Sequence, residues 1–190
     1  MGRTEFCAPL LYGFSEGYYE RSNTLAAFTQ KHEKLQARYA RKGAYDAVLE
    51  VGTHAATGMG RQSPIILAVT DPEVRNELSR INADIMGASI DPFYGAPVVL
   101  VVLADKSIPT HVYDGSLVMG NMMQAATALG LGSCWIHRAK ETFERPEGKA
   151  LLKRLGIEGD YEGIGNLVLG YAAAEPKPAL PRKSDYIRYV

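Results

Sequence analysis

Residues 114–137 have the sequence DGSLVMGNMMQAATALGLGSCWIH, and this stretch indicates how the rest of the chain is arranged. Residues 116–129 contain no charged side chain, and their apolar residues would cover most of the circumference of a helix. A helix that is apolar on all sides is buried rather than laid on a surface. Asp114 stands where a carboxylate caps the first free N–H groups of such a helix, and Gly130 offers the left-handed conformation that ends it. The pattern therefore predicts a central, buried helix.

The residues after this helix admit two interpretations. Gly132 turns the chain into residues 133–136, a short apolar segment that is typical of a buried strand. One interpretation is a core helix followed by a turn, which the residue pattern alone favours. The other is that the Gly-Leu-Gly of residues 130–132 brings the end of a strand close to a flat ligand.

The composition is typical of an ordinary globular protein. Its 190 residues fit one domain with a real core, and its 46% hydrophobic and 22% charged residues are typical of a soluble protein. The net charge of zero gives no reason to expect nucleic acid or an acidic membrane surface as a partner. No apolar run approaches the roughly 18 residues that cross a bilayer. The only cysteines, Cys7 and Cys134, predict reduced thiols in a cytoplasm, and no metal site is expected.

The order of predicted elements indicates the fold class. The valine-rich residues 98–103 form a continuous apolar run, which is typical of a strand buried on both faces. Further strands are predicted at residues 65–70 and 166–171, and an amphipathic helix at residues 147–155. The whole order is helices, strand, helix, strand, long helix, strand, helix, strand. It predicts an α+β or α/β fold with three layers around one sheet.

A glycine-containing loop precedes the first strand. Gly58 and Gly60 stand as in a dinucleotide-binding fingerprint, with Ser63 at the position of its third glycine. That fingerprint requires a strand before it and a helix after it. Here a helix precedes and a strand follows, so a Rossmann site is rejected. His54 beside the loop is interpreted as a helix-end or packed histidine rather than a catalyst.

Four stretches of the chain, taken together and in order, resemble the nitroreductase family of flavin enzymes. These are residues 49–64, 93–99, 114–135 and 181–183. The resemblance covers about residues 44–190. It implies a three-layer α+β fold in which helices flank a mixed central sheet. It also implies a homodimer with two active sites at the subunit interface, with the helix around Asn121 in the dimer core.

The resemblance implies a redox function that depends on a cofactor. FMN would take hydride from NADH or NADPH and pass it to an acceptor such as a nitroaromatic or a quinone. No catalytic side chain is assigned, because the flavin carries the redox chemistry and the protein orients it. Two alternatives remain open: a flavin-binding or sensing protein without turnover, and a related flavin chemistry such as reductive dehalogenation or flavin breakdown.

The loop before the first strand corresponds to the family's flavin-contact segment, Pro-Ser-x-x-Asn-x-Gln-Pro. The cofactor-binding residues implied here are Thr57, Gly58, Gly60 and Gln62. Thr57 takes the place of the serine and Gln62 keeps the glutamine, and both would contact ribityl or ring atoms. Gly60 replaces the asparagine, so that contact is lost or made by the backbone.

Other implied cofactor contacts lie further along the chain. Asn82 matches an asparagine that reaches the flavin ring. Trp135, Ile136 and His137 fall where the family places backbone near the ring and its N5 atom. A backbone N–H there would stabilise the anionic reduced ring.

The remaining implied site residues are charged and aromatic. Arg182 and Lys183 correspond to a basic tail that binds the FMN phosphate, for which an arginine clamp is the expected chemistry. Phe93 and Tyr94 form an aromatic loop where the family has a mobile lid, so they are expected to line the acceptor pocket.

The N-terminal part departs from the family. Nitroreductases normally open with Arg-Arg-Ser-x-Arg on a first helix, and nothing matches at that spacing here. Residues 1–43 are therefore interpreted as a divergent segment of a single domain that spans residues 1–190. Because that motif supplies a phosphate arginine, FMN is expected to bind less firmly than is usual for the family.

Overall fold

The computed structural model describes three parts of the chain, residues 35–36, 42–174 and 180–190. Contacts divide the chain into two compact units. Residues 31–177 form the larger unit, which contains every helix and strand described below, and the tail at 180–190 belongs to the smaller one. The divergent segment predicted for residues 1–43 lies almost entirely outside the described residues. The single domain predicted for the whole chain stays a prediction.

Helices and strands follow one another in the predicted order. The α-helices of the described residues are α1 (Lys42–Thr53), α2 (Pro72–Met86), α3 (His111–Ala128), α4 (Ala139–Glu144) and α5 (Pro146–Arg154), and a single 3-10 turn lies at Gly58–Gly60. The strands are β1 (Pro64–Val69), β2 (Val98–Asp105), β3 (Gly132–Ile136) and β4 (Tyr161–Gly170). The short α4 was not predicted. Within the described parts of the chain, no helix combines the length and the apolar character that crossing a bilayer would require.

The four strands form one sheet in the order β1-β2-β4-β3. Helices plus one sheet confirm the predicted α+β class. The family resemblance predicted a mixed sheet, but each of the three pairings between described strands is antiparallel. A strand covered by helices on both faces has a continuous apolar sequence whatever the direction of its neighbours. The apolar run of β2 therefore carries no signal for strand direction.

Strand β2 lies at the centre of two apolar clusters. Its alternate side chains point to opposite faces of the sheet. One set, with Val98 and Val102, packs against α1 and α3. The other set, with Val99 and Val101, packs against α2, α4 and α5. Helices thus cover both faces of the sheet, and this confirms the three-layer arrangement.

Helix α3 begins earlier than predicted. It starts at His111, so Asp114 lies in its first turn, and the N-cap residue Thr110 makes no side-chain capping bond. The interpretation of Asp114 as the cap is wrong, because its carboxylate is occupied elsewhere, as shown below. The predicted end is confirmed: Gly130 has a φ of 69°, and β3 follows from Gly132.

One side of α3 is exposed in the single chain. Val118, Met119 and Met122 are buried against the sheet and α1. Leu117 is 50% exposed, and Tyr113 one turn earlier is also exposed. The sequence predicted that α3 is buried on all sides. Within one chain, α3 is buried on one side only.

The loop between α2 and β2 is held by one carboxylate. Asp91 accepts hydrogen bonds from the Ser79 hydroxyl at 2.6 Å, the Phe93 N–H at 3.0 Å and the Gly95 N–H at 2.8 Å. It also pairs with the Arg75 guanidinium. Burial alone would raise the pKa of Asp91, but these bonds outweigh it and hold the pKa below its ordinary value of 3.8.

Replacing this carboxylate should lower stability in a pH-dependent way. Asp91→Asn is expected to cost about 1–3 kcal/mol at neutral pH, because buried donors lose a charged acceptor. A lowered pKa means that the contribution is complete above the ordinary value of 3.8 and disappears as the pH falls through the folded-state pKa. Urea unfolding of both proteins should therefore give a difference that is constant from about pH 7 to about pH 4 and shrinks below it. A difference that already shrinks between about pH 7 and pH 5 would contradict this account.

Candidate functional site

The loop that joins α1 to β1, residues 57–63, has an unusual backbone. Three of its residues have left-handed φ values: Met59 at 54°, Gly60 at 67° and Gln62 at 50°. A residue other than glycine in this region costs on the order of 1–3 kcal/mol. The side chain of Met59 is 81% exposed, so its own packing does not offset that cost. Contacts at the ends of the loop must therefore hold this conformation.

A single carboxylate from α3 makes those contacts. Asp114 accepts the Gly58 N–H at 2.9 Å through Oδ1. Through Oδ2 it accepts the hydroxyl of Ser63 at 2.7 Å and that of Thr110 at 3.1 Å. The residue is 2% exposed. Burial alone would raise the pKa of the Asp114 carboxyl, but the three donors outweigh it and lower the pKa below its usual range.

The predicted cofactor residues of this loop differ from one another in their contacts and exposure. Gly58 is required by space, because a Cβ atom there would lie 2.3 Å from the Thr110 Oγ1 atom. The Thr57 hydroxyl accepts the Gln62 N–H at 3.1 Å, which leaves the Thr57 hydroxyl proton to donate to a ligand. Gly60 and the side chain of Gln62 are exposed at the tip of the loop.

The turn after β3 is held by two asparagines from other elements. The His137 carbonyl accepts the side-chain N–H of Asn82 at 2.8 Å and that of Asn166 at 3.4 Å. The Oδ1 atom of Asn82 accepts the Nε–H of Arg138 at 3.0 Å. Because guanidinium only donates, this bond fixes the orientation of the Asn82 amide. Asn82 is 0% exposed, so its amide faces the turn instead of making the expected direct contact with a ring.

This arrangement gives one backbone N–H a fixed direction. The C=O and N–H of a trans peptide point to opposite sides, and none of the described peptide bonds is cis. The Arg138 N–H therefore points away from the two asparagines. His137 is exposed, whereas the Ile136 side chain is buried in the core. The ring of Trp135 is partly buried, with its centroid 6.3 Å from that of His137.

The aromatic loop differs from its prediction. Phe93 is 0% exposed and belongs to the core, with the Arg75 guanidinium 5.5 Å from its ring centroid. It therefore cannot line an open acceptor pocket. The Asp91 carboxylate accepts the N–H groups of Phe93 and Gly95 and so holds the backbone of this loop, while the Phe93 ring packs into the apolar core. Tyr94, with a φ of 52°, is partly buried and remains a candidate.

The basic residues of the tail lie in the smaller unit. Arg182 and Lys183 are exposed and line a cavity with Ser184, Tyr186 and Ile187. The Lys183 Nζ atom lies 5.6 Å from the centroid of the Tyr186 ring. Two cations and a hydroxyl are groups that can bind a phosphate.

Several residues at these sites were not predicted to contribute. Ser63 and Asn166 were not singled out as site residues, and Asp114 was assigned to the wrong task. Each acts on a residue far away in the sequence: Asp114 and Gly58 are separated by 56 positions. Ser63 is buried directly before β1 and so needs a hydrogen-bond partner, but its burial is seen only in the structure.

Comparisons with known proteins bear on the identity of the chain. Residues 88–171 match the model of the nitroreductase family. A nitroreductase with bound FMN from Bacteroides fragilis has a TM-score of 0.81 and 25% identity, over 93% of this chain and 100% of that one. One with bound FMN from Desulfitobacterium hafniense has a TM-score of 0.77 and 23% identity, over 88% and 98%.

A third structure extends the comparison to another flavin protein. Iodotyrosine deiodinase, bound to FMN and 3-iodo-L-tyrosine, has a TM-score of 0.69 and 22% identity, over 87% of this chain and 97% of that one. Among curated proteins, none matches the sequence. The chain therefore has the nitroreductase fold, and its resemblance to the nitroreductase family is confirmed.

Proposed function

We propose that this protein binds FMN and acts as an oxidoreductase that passes hydride from NADH or NADPH, through the flavin, to a small acceptor such as a nitroaromatic or a quinone. The observation that carries the proposal is the loop at residues 57–63. It corresponds to the family's flavin-contact segment, it exposes Gln62, and it is held in a preformed left-handed conformation. Nitroreductases that share the fold contain bound FMN.

The chemistry of the donor groups fits FMN. The polar edge of the flavin ring and the ribityl chain need amide and hydroxyl partners, which Gln62 and Thr57 offer. The phosphate needs cations and hydroxyls, which Arg182, Lys183 and Ser184 offer in the tail cavity. We assign these residues to the cofactor, together with the backbone at Gly58 and Gly60.

When bound, FMN supplies the redox chemistry, taking up hydride from the nicotinamide and delivering it to the acceptor. The contribution of the chain is orientation and charge stabilisation. The carbonyl held by Asn82 and Asn166 leaves the Arg138 N–H with one fixed direction. We assign this N–H, with the backbone of residues 135–137, to the flavin ring. A preoriented donor stabilises negative charge without reorganisation during the reaction.

We further propose that the functional unit is a homodimer. Several exposed large apolar residues of the larger unit lie on α1 or on α3 and its C-cap: Val51, Val112, Tyr113, Leu117 and Leu129. Tyr113 and Leu117 are four residues apart, so they lie on the same side of α3. An apolar patch of this kind marks an interaction surface. We also place the protein in a reducing compartment, the cytoplasm, where a buried cysteine such as Cys134 stays a thiol.

A spectroscopic titration tests the flavin assignment. The purified protein is expected to be yellow, to bind added FMN, and to bleach when NADH or NADPH is added without oxygen. Because the family's N-terminal arginine motif has no match here, Arg182→Ala should weaken FMN binding by about ten- to a hundred-fold. Arg80→Ala is the matched control, since Arg80 forms only an exposed pair with Asp84 and a contact of this kind contributes little.

The outcomes separate the alternatives. Yellow protein that does not bleach would indicate flavin binding without turnover. Bleaching with transfer to a halogenated phenol but not to a nitroaromatic or quinone would indicate reductive dehalogenation. Colourless protein that FMN cannot reconstitute would exclude the proposal. Equal FMN affinities for the parent and Arg182→Ala would exclude the phosphate role of Arg182.

A single substitution that introduces a charge tests the proposed dimer surface. Leu117→Glu places a carboxylate in the middle of the exposed apolar side of α3, so the variant should be monomeric where the parent is a dimer. Light scattering at about micromolar concentration measures the mass. Leu155→Glu is the control, because Leu155 is similarly exposed but lies at the end of α5, away from this surface. A monomeric parent would contradict the proposal.

Tyr94 is the remaining candidate for acceptor contact. Tyr94→Ala is expected to change the ratio of kcat/KM for a quinone and a nitroaromatic by several-fold, on the order of 1 kcal/mol, while FMN content stays the same. Ile90→Ala, at an exposed residue just before the loop held by Asp91, should leave the ratio unchanged. An unchanged ratio in Tyr94→Ala would show that the loop does not touch the acceptor.

A further inference from the structure

We infer that Asp114 is the positioning residue of the cofactor loop. Its buried carboxylate holds residues 57–63 in the left-handed conformation that presents Gln62, and so sets the affinity for FMN from outside the binding surface. The flavin part of this inference rests on the proposed function. The loop-holding part rests only on the contacts described here.

The carboxylate binds the loop at both ends. Oδ1 accepts the N–H of Gly58 near the start, and Oδ2 accepts the hydroxyl of Ser63 at the end. The four residues between them contain all three left-handed φ values of the loop, at Met59, Gly60 and Gln62. One side chain therefore fixes the separation and orientation of the two ends between which the strained backbone must fit.

None of the hydrogen bonds of Asp114 to described residues caps the helix on which it lies. Its oxygens accept from two loop groups and from the hydroxyl of Thr110, and none of these donors is an N–H of the first turn of α3. This contrasts with Asp71, which accepts the N–H groups of Glu73 and Val74 and so caps α2. The carboxylate of Asp114 is thus directed at the loop rather than at helix formation.

The substitution Asp114→Asn keeps the size of the side chain and changes its hydrogen-bonding capacity. All three partners are donors, and an ionised carboxylate accepts at both oxygens. An amide accepts at one oxygen only. Its NH₂ group would face either the Gly58 N–H, which cannot accept, or the Ser63 and Thr110 hydroxyls, which would have to turn and accept from a neutral group. Hydrogen bonds to a charged group are stronger than those between neutral groups, so the variant should loosen one end of the loop while α3 remains folded.

Trypsin reports on the loop without any flavin. Arg61 is exposed in the middle of the loop, and the peptide bond that follows it leads into Gln62, so release of the loop should speed cleavage at this bond. We expect cleavage of the Asp114→Asn apoprotein after Arg61 to be about tenfold faster than in the parent. We expect FMN to bind about tenfold more weakly, because hydrogen bonds to a charged group are replaced by weaker neutral ones. Thermal unfolding of the apoprotein records any global effect.

Two further variants keep the test decisive. Ser63→Ala removes one donor and leaves the carboxylate in place, so it should shift both measurements in the same direction by a smaller factor. It also serves if Asp114→Asn does not fold. Asp84→Asn is the matched control: it is the same substitution, but the Asp84 carboxylate pairs with Arg80 on the exposed side of α2 instead of holding the loop. It should leave both measurements within about twofold of the parent.

The outcomes distinguish this inference from the proposed function. Unchanged cleavage after Arg61 in folded Asp114→Asn and Ser63→Ala overturns the inference, whatever the FMN affinity. Faster cleavage with unchanged FMN affinity shows that Asp114 holds the loop and that the loop does not bind the cofactor, which overturns the positioning role. A parent that binds no FMN overturns the proposed function and the role in cofactor binding, while the cleavage rates still decide whether Asp114 holds the loop.

Discussion

Strand β2 has no face exposed to water, and this constraint determines where the other elements lie. Burying each large aliphatic side chain contributes roughly 1.5–3 kcal/mol, so both of its faces require a helical layer. Its pairing with β1 then places the loop at residues 57–63. The Asp105 N–H at the end of β2 donates to the Ser63 carbonyl at 3.0 Å. The chain leaving β2 enters α3, which brings Asp114 to the same loop.

The loop shows how local strain is balanced. Left-handed conformations at Met59 and Gln62 cost on the order of 1–3 kcal/mol each. Hydrogen bonds to a charged acceptor contribute roughly 1.5–3 kcal/mol each, and Asp114 accepts two from the loop. The cost of the two left-handed residues and the stabilisation from the two hydrogen bonds are similar, so the net stabilisation of the loop conformation is small. The Asp91 carboxylate plays the same part for the loop that contains Tyr94.

What the sequence could predict was local. The apolar run of β2, the glycine at position 130 and the strand that follows it are recognised from neighbours within a few residues. The uses of polar side chains were not predictable in this way. A carboxylate near the start of a helix has the same sequence signature whether it caps that helix, as Asp71 does, or reaches back 56 residues, as Asp114 does. Likewise, two adjacent aromatic residues in a loop do not indicate which of their rings faces the core. In the structure, the ring of Phe93 faces the core.

Helix α3 carries Asp114 on its loop-facing side and Leu117 on its exposed apolar side, less than one turn apart. In the proposed homodimer, the second copy would pack on the apolar side of the same helix that orders the loop. Thermodynamic linkage would then make the two events reciprocal: by whatever factor association strengthened flavin binding, flavin would strengthen association. Occupancy of the proposed flavin site and the proposed quaternary structure would therefore report on one equilibrium, with α3 as the element that both of them bias.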